Sequence, residues 1–279
     1  MKKTPFAIIA LIGVAVLAGY AVCNRPSRTH APSVDVAAPD VSQPLDADSR
    51  AIINELCKKW DRVEKLSAAI RTTSPSAAGM KGTTKGEGDY AYQKTDGNPL
   101  IRLHLRNMMR IEKETTLPDG RKSPLILTGE VLIYLSDGQY LWQTITQPDY
   151  KRLYKRRYDP AEVLQLGGRA LWDTLTDGTI LERLADEKVK EVENKDAYVF
   201  SITPMDGDWT SIHWFDKETG LRLKTVEKDA QGKETLTLWL ENIDFDPQFD
   251  PDRFVFKIPE GYEVIDQTGE NGTTKEKSP

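Results

Sequence analysis

The chain has 279 residues, with 38 Lys and Arg against 43 Asp and Glu, a formal net charge of −5, 39% hydrophobic residues and 2 Cys. This mildly acidic balance argues against a nucleic-acid binder, which needs a concentrated positive field to displace phosphate counterions. Two cysteines leave no room for a multi-disulfide scaffold or a four-thiolate zinc site, while the length is enough to bury a sizeable core.

Met1-Lys2-Lys3 is a basic head, followed by an uncharged run from Phe6 to Val22. At about 1.5 Å per residue that run reaches roughly 26 Å as a helix, near the short end of a bilayer span. Together they form an export signal, which places the folded part in the periplasm. Residues 1–22 are then either a signal peptide, cut after Gly19-Tyr20-Ala21, or an N-terminal inner-membrane anchor. Val22, where a small residue would precede a lipidated Cys23, argues against lipidation. Residues 23–45 hold Pro26, Pro32, Pro39 and Pro44 without apolar periodicity, which makes them an extended, semi-stiff tether.

From Asp46 to Leu66, Ile52, Ile53, Leu56, Trp60, Val63 and Leu66 recur at helical spacing, giving one apolar stripe. Asp46 is its cap and Asp48 its first-turn acid, and Cys57 falls on it as a half-buried thiol. Residues 79–88 read as a loop. Ile101, Leu103, Leu105, Met109 and Ile111 then alternate with Arg102, His104, Arg106 and Arg110, a strand with one apolar and one basic face. Val131, Ile133 and Leu135 lead into the turn Ser136-Asp137-Gly138, and Tyr140 to Thr146 pairs back as a hairpin. Asp159-Pro160-Ala161-Glu162 opens a helical insertion that carries Val163, Leu164, Leu166, Leu171 and Trp172, with further helical pieces through Ile180, Leu181 and Leu184 to about Ala185. Further strands run over 189–193, 198–203, 210–215, 221–227 and 234–243, separated by turn-forming clusters such as Lys217-Glu218-Thr219-Gly220. Strands joined this way give an antiparallel meander, over whose edge, open end or concave face the insertion must pack. Residues 269–279 are a polar, disordered tail.

No catalytic or metal-binding motif is present: there is no HExxH, no GxSxG and no Cys/His cluster. His30 lies in the tether, His104 on the polar strand face, and His213 between Ile212 and Trp214 as a structural histidine. Gly86-Glu87-Gly88-Asp89-Tyr90-Ala91 fits a dinucleotide pattern in spelling only, since no strand is expected before it and no helix after it. No cofactor and no metal is expected. Lys151, Arg152, Lys155, Arg156 and Arg157 crowd one stretch. They form either the wet face of a strand or a contact to anionic headgroups or an acidic partner.

Leu135-Ser136-Asp137-Gly138-Gln139-Tyr140-Leu141-Trp142 resembles the "SDGxxLW" hairpin of the periplasmic outer-membrane lipoprotein carriers of the LolA/LolB type. The stretch from Phe254 to Asp266 is similar to that family's closing "FxFxxPxGxxVxD", Gly86-Glu87-Gly88-Asp89-Tyr90 to its early "GxGxhxh", and the helix ending at Leu66-Ser67 to its opening. All four occur in the family's order, over residues 46–268. The resemblance implies a mainly β (α+β) domain: an incomplete antiparallel β-barrel with an N-terminal helix and a short helical lid. It implies non-catalytic binding of lipoprotein acyl chains in an apolar cavity, for carriage or acceptance between membranes. A membrane-tethered sensor of the same fold and a hydrolase with an unrecognised site are the alternatives. Expected partners are an acylated lipoprotein or other lipid and a membrane surface or membrane protein; the protein is expected to be a monomer that binds no nucleic acid. Alternation puts Ile101, Leu103, Leu105 and Met109 on one cavity face with Val131 and Ile133. The later strands add Phe200, Trp214, Leu223 and Trp239, and Trp142 joins from the matched hairpin. Val163, Leu164, Leu166, Leu171 and Trp172 form the lid. The family's lid-latching arginine has no counterpart, since Lys94-Thr95-Asp96-Gly97 stands in its place. A filled sheet-on-helix core is the competing reading of the same apolar residues.

Overall fold

The computed structural model describes residues 46–75, 82–116, 122–147, 150–159, 166–167, 171, 179–204, 208–258, 260–268 and 274–277; at 82–83, 107–116, 122–132, 145–147, 150 and 274–277 it describes the backbone alone. The export segment, the tether, Cys23, and the lid residues Val163, Leu164 and Trp172 lie outside the described residues.

Helix α1 spans Ala47–Trp60. Asp46 caps it, accepting from the Ser49 amide at 2.8 Å and the Ser49 hydroxyl at 2.6 Å, which satisfies amides that the first turn leaves orphaned. The helix stops before Val63 and Leu66, so the expected stripe is shorter: Leu66 belongs to strand β1, Lys65–Pro75. Strands β2 (Gly82–Gln93), β3 (Leu100–Thr116), β4 (Lys122–Ser136), β5 (Tyr140–Gln147) and β6 (Tyr150–Arg157) follow as an antiparallel run. After the insertion come β7 (Thr179–Arg183), β8 (Glu187–Val189), β9 (Lys195–Pro204), β10 (Trp209–Asp216), β11 (Arg222–Asp229), β12 (Glu234–Asp244), β13 (Glu263–Asp266) and β14 (Thr274–Lys277).

All belong to one sheet, in the order β14-β13-β6-β5-β4-β3-β2-β1-β12-β11-β10-β9-β7, with β8 beside β9. β14 and β7 remain edges, so the barrel is incomplete, as the family resemblance implies. The two halves of the chain meet at β1 and β12, where Thr72 lies opposite Leu238. One pair departs from the antiparallel meander: β13 runs parallel to β6, Val264 opposite Leu153. A parallel partner needs a long return connection, and here the rest of the sheet supplies it.

Several local expectations are corrected. Residues 82–88 are strand rather than loop, and Gly88 there serves a close approach between strands. A Cβ on Gly88 would lie 1.9 Å from the His104 carbonyl oxygen. Ile180 and Leu181 lie on β7 rather than on a helix, since the β9 edge offers backbone hydrogen bonds that an isolated helical turn cannot match. Val189 ends β8, and residues 190–194 form a turn with positive φ at Glu193 and Asn194. In the polar tail, Thr274–Lys277 pairs antiparallel with β13.

Candidate functional site

Residues directly opposite one another in neighbouring strands share a face of the sheet. Following the register across the strands therefore sorts the side chains. One face, the concave one that α1 covers, carries Leu105, Ile70 and Leu240 in one row and Leu103, Tyr90 and Ala68 in the next. Leu238, Thr225, His213 and Phe200 continue it into the second half. Ile101, Leu103, Leu105, Phe200 and Leu223 are all buried, at 0–7% exposure.

The opposite face takes Trp142, which lies against Leu135, and Ile133, which lies against His104 and Thr144. It also takes Trp214 and Trp239, each opposite Lys224. Ile133, Trp142, Trp214 and Trp239 therefore do not line the concave face with Leu103, which corrects the single cavity set. Val131 pairs with Arg106 and Met109 with Thr84 in the backbone register, while both side chains lie outside the described residues.

On the concave face Ile53 and Leu56 of α1 pack with Phe200, Ile202 and Phe215. Each such side chain contributes roughly 1.5–3 kcal/mol by leaving water. Two residues of the insertion join these clusters: Leu166 sits with Leu66, Tyr90 and Leu103, and Leu171 with Ile53 and Phe200. The insertion is held there by backbone, with the Arg222 amide donating to the Leu166 carbonyl at 2.6 Å and a bridge from Gly167 to Leu221. Gly167 lies so close over Trp60 that a Cβ would meet the indole at 2.3 Å. Trp60 in turn packs on Tyr92 at 5.2 Å between ring centroids. Burial first, then the Glu64 carboxylate, push the Tyr92 phenol up to about 12, so it stays neutral. Lys94, where the family has its latching arginine, donates to the Asp61 carbonyl at 2.6 Å and to Glu64 at 3.3 Å. It ties the end of β2 to the connection between α1 and β1.

In the first half of the sheet the opposite face is crossed by the segment between β12 and β13. Phe256 stacks on Trp142 with centroids 4.9 Å apart and planes at 2°, and Arg253 donates to Asp89. An open cleft of about 540 Å³ lies there, lined by Leu100, Trp142, Phe249, Phe254 and Phe256 together with Asp137 and Asp250. Two stretches that carry the family resemblance, the hairpin tryptophan and the closing aromatic, thus meet at one stack. The basic run on β6 is also split between faces. Arg152 and Arg156 lie on the concave side, opposite Ile145 and Leu141; Lys155 lies on the other, opposite Trp142 and Asp266. Among the described residues no group of acidic, histidine or cysteine side chains is arranged to hold a metal ion, and no helix is long and apolar enough to cross a membrane.

No family model matches the chain, and no curated protein matches it. Solved structures of similar topology include an uncharacterised conserved protein from Thermus thermophilus, at 11% identity and a TM-score of 0.43, over 79% of this chain and 99% of that one. A LolA superfamily protein from Nitrosomonas europaea is similar over 75% of this chain and 97% of its own, at 13% identity and a TM-score of 0.27. The Pseudomonas aeruginosa MucA/MucB complex is similar at 14% identity and a TM-score of 0.38, over 76% of this chain and 62% of that one.

Proposed function

We propose that the protein is a non-catalytic, exported binder of acyl chains, carried on a lipoprotein or another lipid, and that the concave face is the binding surface. The supporting observation is how that face is closed. Among the described residues the half-barrel's apolar strands meet no second sheet; they are buried under α1 and under Leu166 and Leu171 of the connection between β6 and β7. A chain of methylenes matches the place these leucines occupy, at about 0.8 kcal/mol per CH₂ buried. The ordered motifs of the LolA/LolB type support the same reading. Carriage or acceptance between membranes follows from export, with residues 1–45 as signal or anchor and tether.

Titration of the protein with a fluorescent fatty-acyl probe tests the proposal. Saturable uptake by the wild type is expected, with tighter uptake by Leu166→Ser, in which the competing leucine is removed. Absence of uptake by both proteins, each shown to be folded, overturns it. A reporter fused after Leu45 that is active only in the cytoplasm overturns the export half of the reading.

A further inference from the structure

The concave face changes character from one side to the other. The row of cross-strand neighbours that begins with Ala68, Tyr90 and Leu103 continues into Tyr134, Gln143 and Tyr154. The row beside it runs Leu66, Tyr92, Ile101, Ser136, Leu141 and ends at Arg156. β1 to β3 thus present Leu66, Ala68, Ile101 and Leu103 beside the phenols of Tyr90 and Tyr92, and β4 to β6 add Tyr134, Gln143 and Tyr154 around Leu141; charge enters these two rows at β6, with Arg156. The polar end is built as a connected set: Arg156 Nη2 donates to Gln143 Oε1 at 2.5 Å, its guanidinium lies 5.9 Å from the Tyr154 ring centroid, and Gln143 is only 6% exposed. Arg152 on the same face is engaged with Glu263 at 3.3 Å.

We infer that this polar end recognises the anionic headgroup of the amphiphile whose acyl chain lies over β1 to β3. The ligand class is an anionic phospholipid. The inference rests on the acyl-binding reading and adds its headgroup. A guanidinium and phenol hydroxyls suit phosphate oxygens, because charge-assisted donors in a half-buried setting are strong and geometrically selective. The rest of the basic run provides an internal control, since Lys155 pairs across to Asp266 and Trp142 on the other face, and Lys151 and Arg157 alternate with the concave-side arginines.

Two probes with one fluorescent acyl chain, on phosphatidylglycerol and on phosphatidylcholine, are titrated against the protein. The wild type is expected to bind the anionic probe on the order of tenfold more tightly. Arg156→Gln should abolish that preference by weakening the phosphatidylglycerol probe more than the phosphatidylcholine probe, whose phosphate is offset by its choline cation; Tyr154→Phe should reduce the preference, and Lys151→Gln should retain it. Millimolar inorganic phosphate should displace neither probe, because a free anion lacks the apolar half of the ligand. Equal binding of both probes by the wild type overturns the headgroup assignment while leaving acyl binding intact. So does a preference that survives both Arg156→Gln and Tyr154→Phe, or displacement by phosphate. Binding of neither probe overturns the acyl-binding reading itself, and this inference with it.

Discussion

At the scale of single residues, the concave face sets two testable constraints. His213 is buried with Nδ1 3.1 Å from the Thr225 hydroxyl. Burial first, then the Arg222 charge, hold its imidazole well below the ordinary 6.5. The unfolded chain takes up a proton near that ordinary value while the folded chain still refuses it, so stability falls as pH drops below about 6.5 and stops falling once the folded imidazole also protonates. Glu227 works in the opposite sense in acid, because burial raises its carboxyl. Comparison with a variant separates the two. Urea unfolding at about pH 7.5 and about pH 5.5 should show a smaller acid-induced loss in His213→Gln than in wild type; an equal loss contradicts the assignment. Gly220 closes the turn between β10 and β11 at φ +73, where a Cβ would stand 2.3 Å from the Leu56 carbonyl oxygen. The left-handed backbone alone costs a non-glycine residue about 1–3 kcal/mol, and the collision with α1 adds to it. Gly220→Ala should lower the denaturation midpoint accordingly.

The elements differ in how openly the sequence announces them. The hairpin of β4 and β5 is legible because Ser136-Asp137-Gly138 is turn chemistry, and the structure uses it so: Asp137 Oδ1 accepts from the amides of Gln139 and Tyr140, and Gly138 has φ +88. Helix α1 is legible from its cap and its i, i+3, i+4 stripe. β2 is hidden because Gly82, Gly86 and Gly88 look like loop residues, whereas close strand approach is what excludes a side chain at Gly88. The faces are hidden for another reason. Alternation within a strand separates two sides, but both sides here carry buried apolar groups, since Leu135 and Leu153 lie opposite Trp142 and Thr144 on the face that Phe256 crosses. Only the register says which alternate set faces α1. The described elements carry their own tests. Leu56→Ala empties a fully buried site between α1 and β9–β10 and should cost about 2–5 kcal/mol in chemical denaturation. Phe256→Ala removes the stack on Trp142. It should speed hydrogen exchange in the segment between β12 and β13 while leaving α1 protected, and uniform deprotection of both would show that the segment is not a separate unit.

Across the whole molecule, the sheet is continuous only because strands remote in sequence pair: β1 with β12 and β6 with β13. A fragment of residues 46–157 holds α1 and six strands but lacks β9 and β10, against which α1 packs. It should remain without fixed near-ultraviolet dichroism, and it should gain that signal when mixed with residues 158–279 if the two halves reassociate. Pairing at this sequence separation also places folding at the slow end of the range for single domains. The seam between β1 and β12 acts on the chain as it is made. Residues 65–75 acquire β2 as a neighbour early, but their other edge stays bare until residues 234–244 have left the ribosome. At about 5–20 residues per second, the roughly 160 residues between them take on the order of ten to thirty seconds to synthesise. Throughout that interval a strand bearing Leu66 and Ile70 offers unsatisfied backbone groups to any other extended chain, so the nascent protein, far more than the finished one, is the form that needs a chaperone.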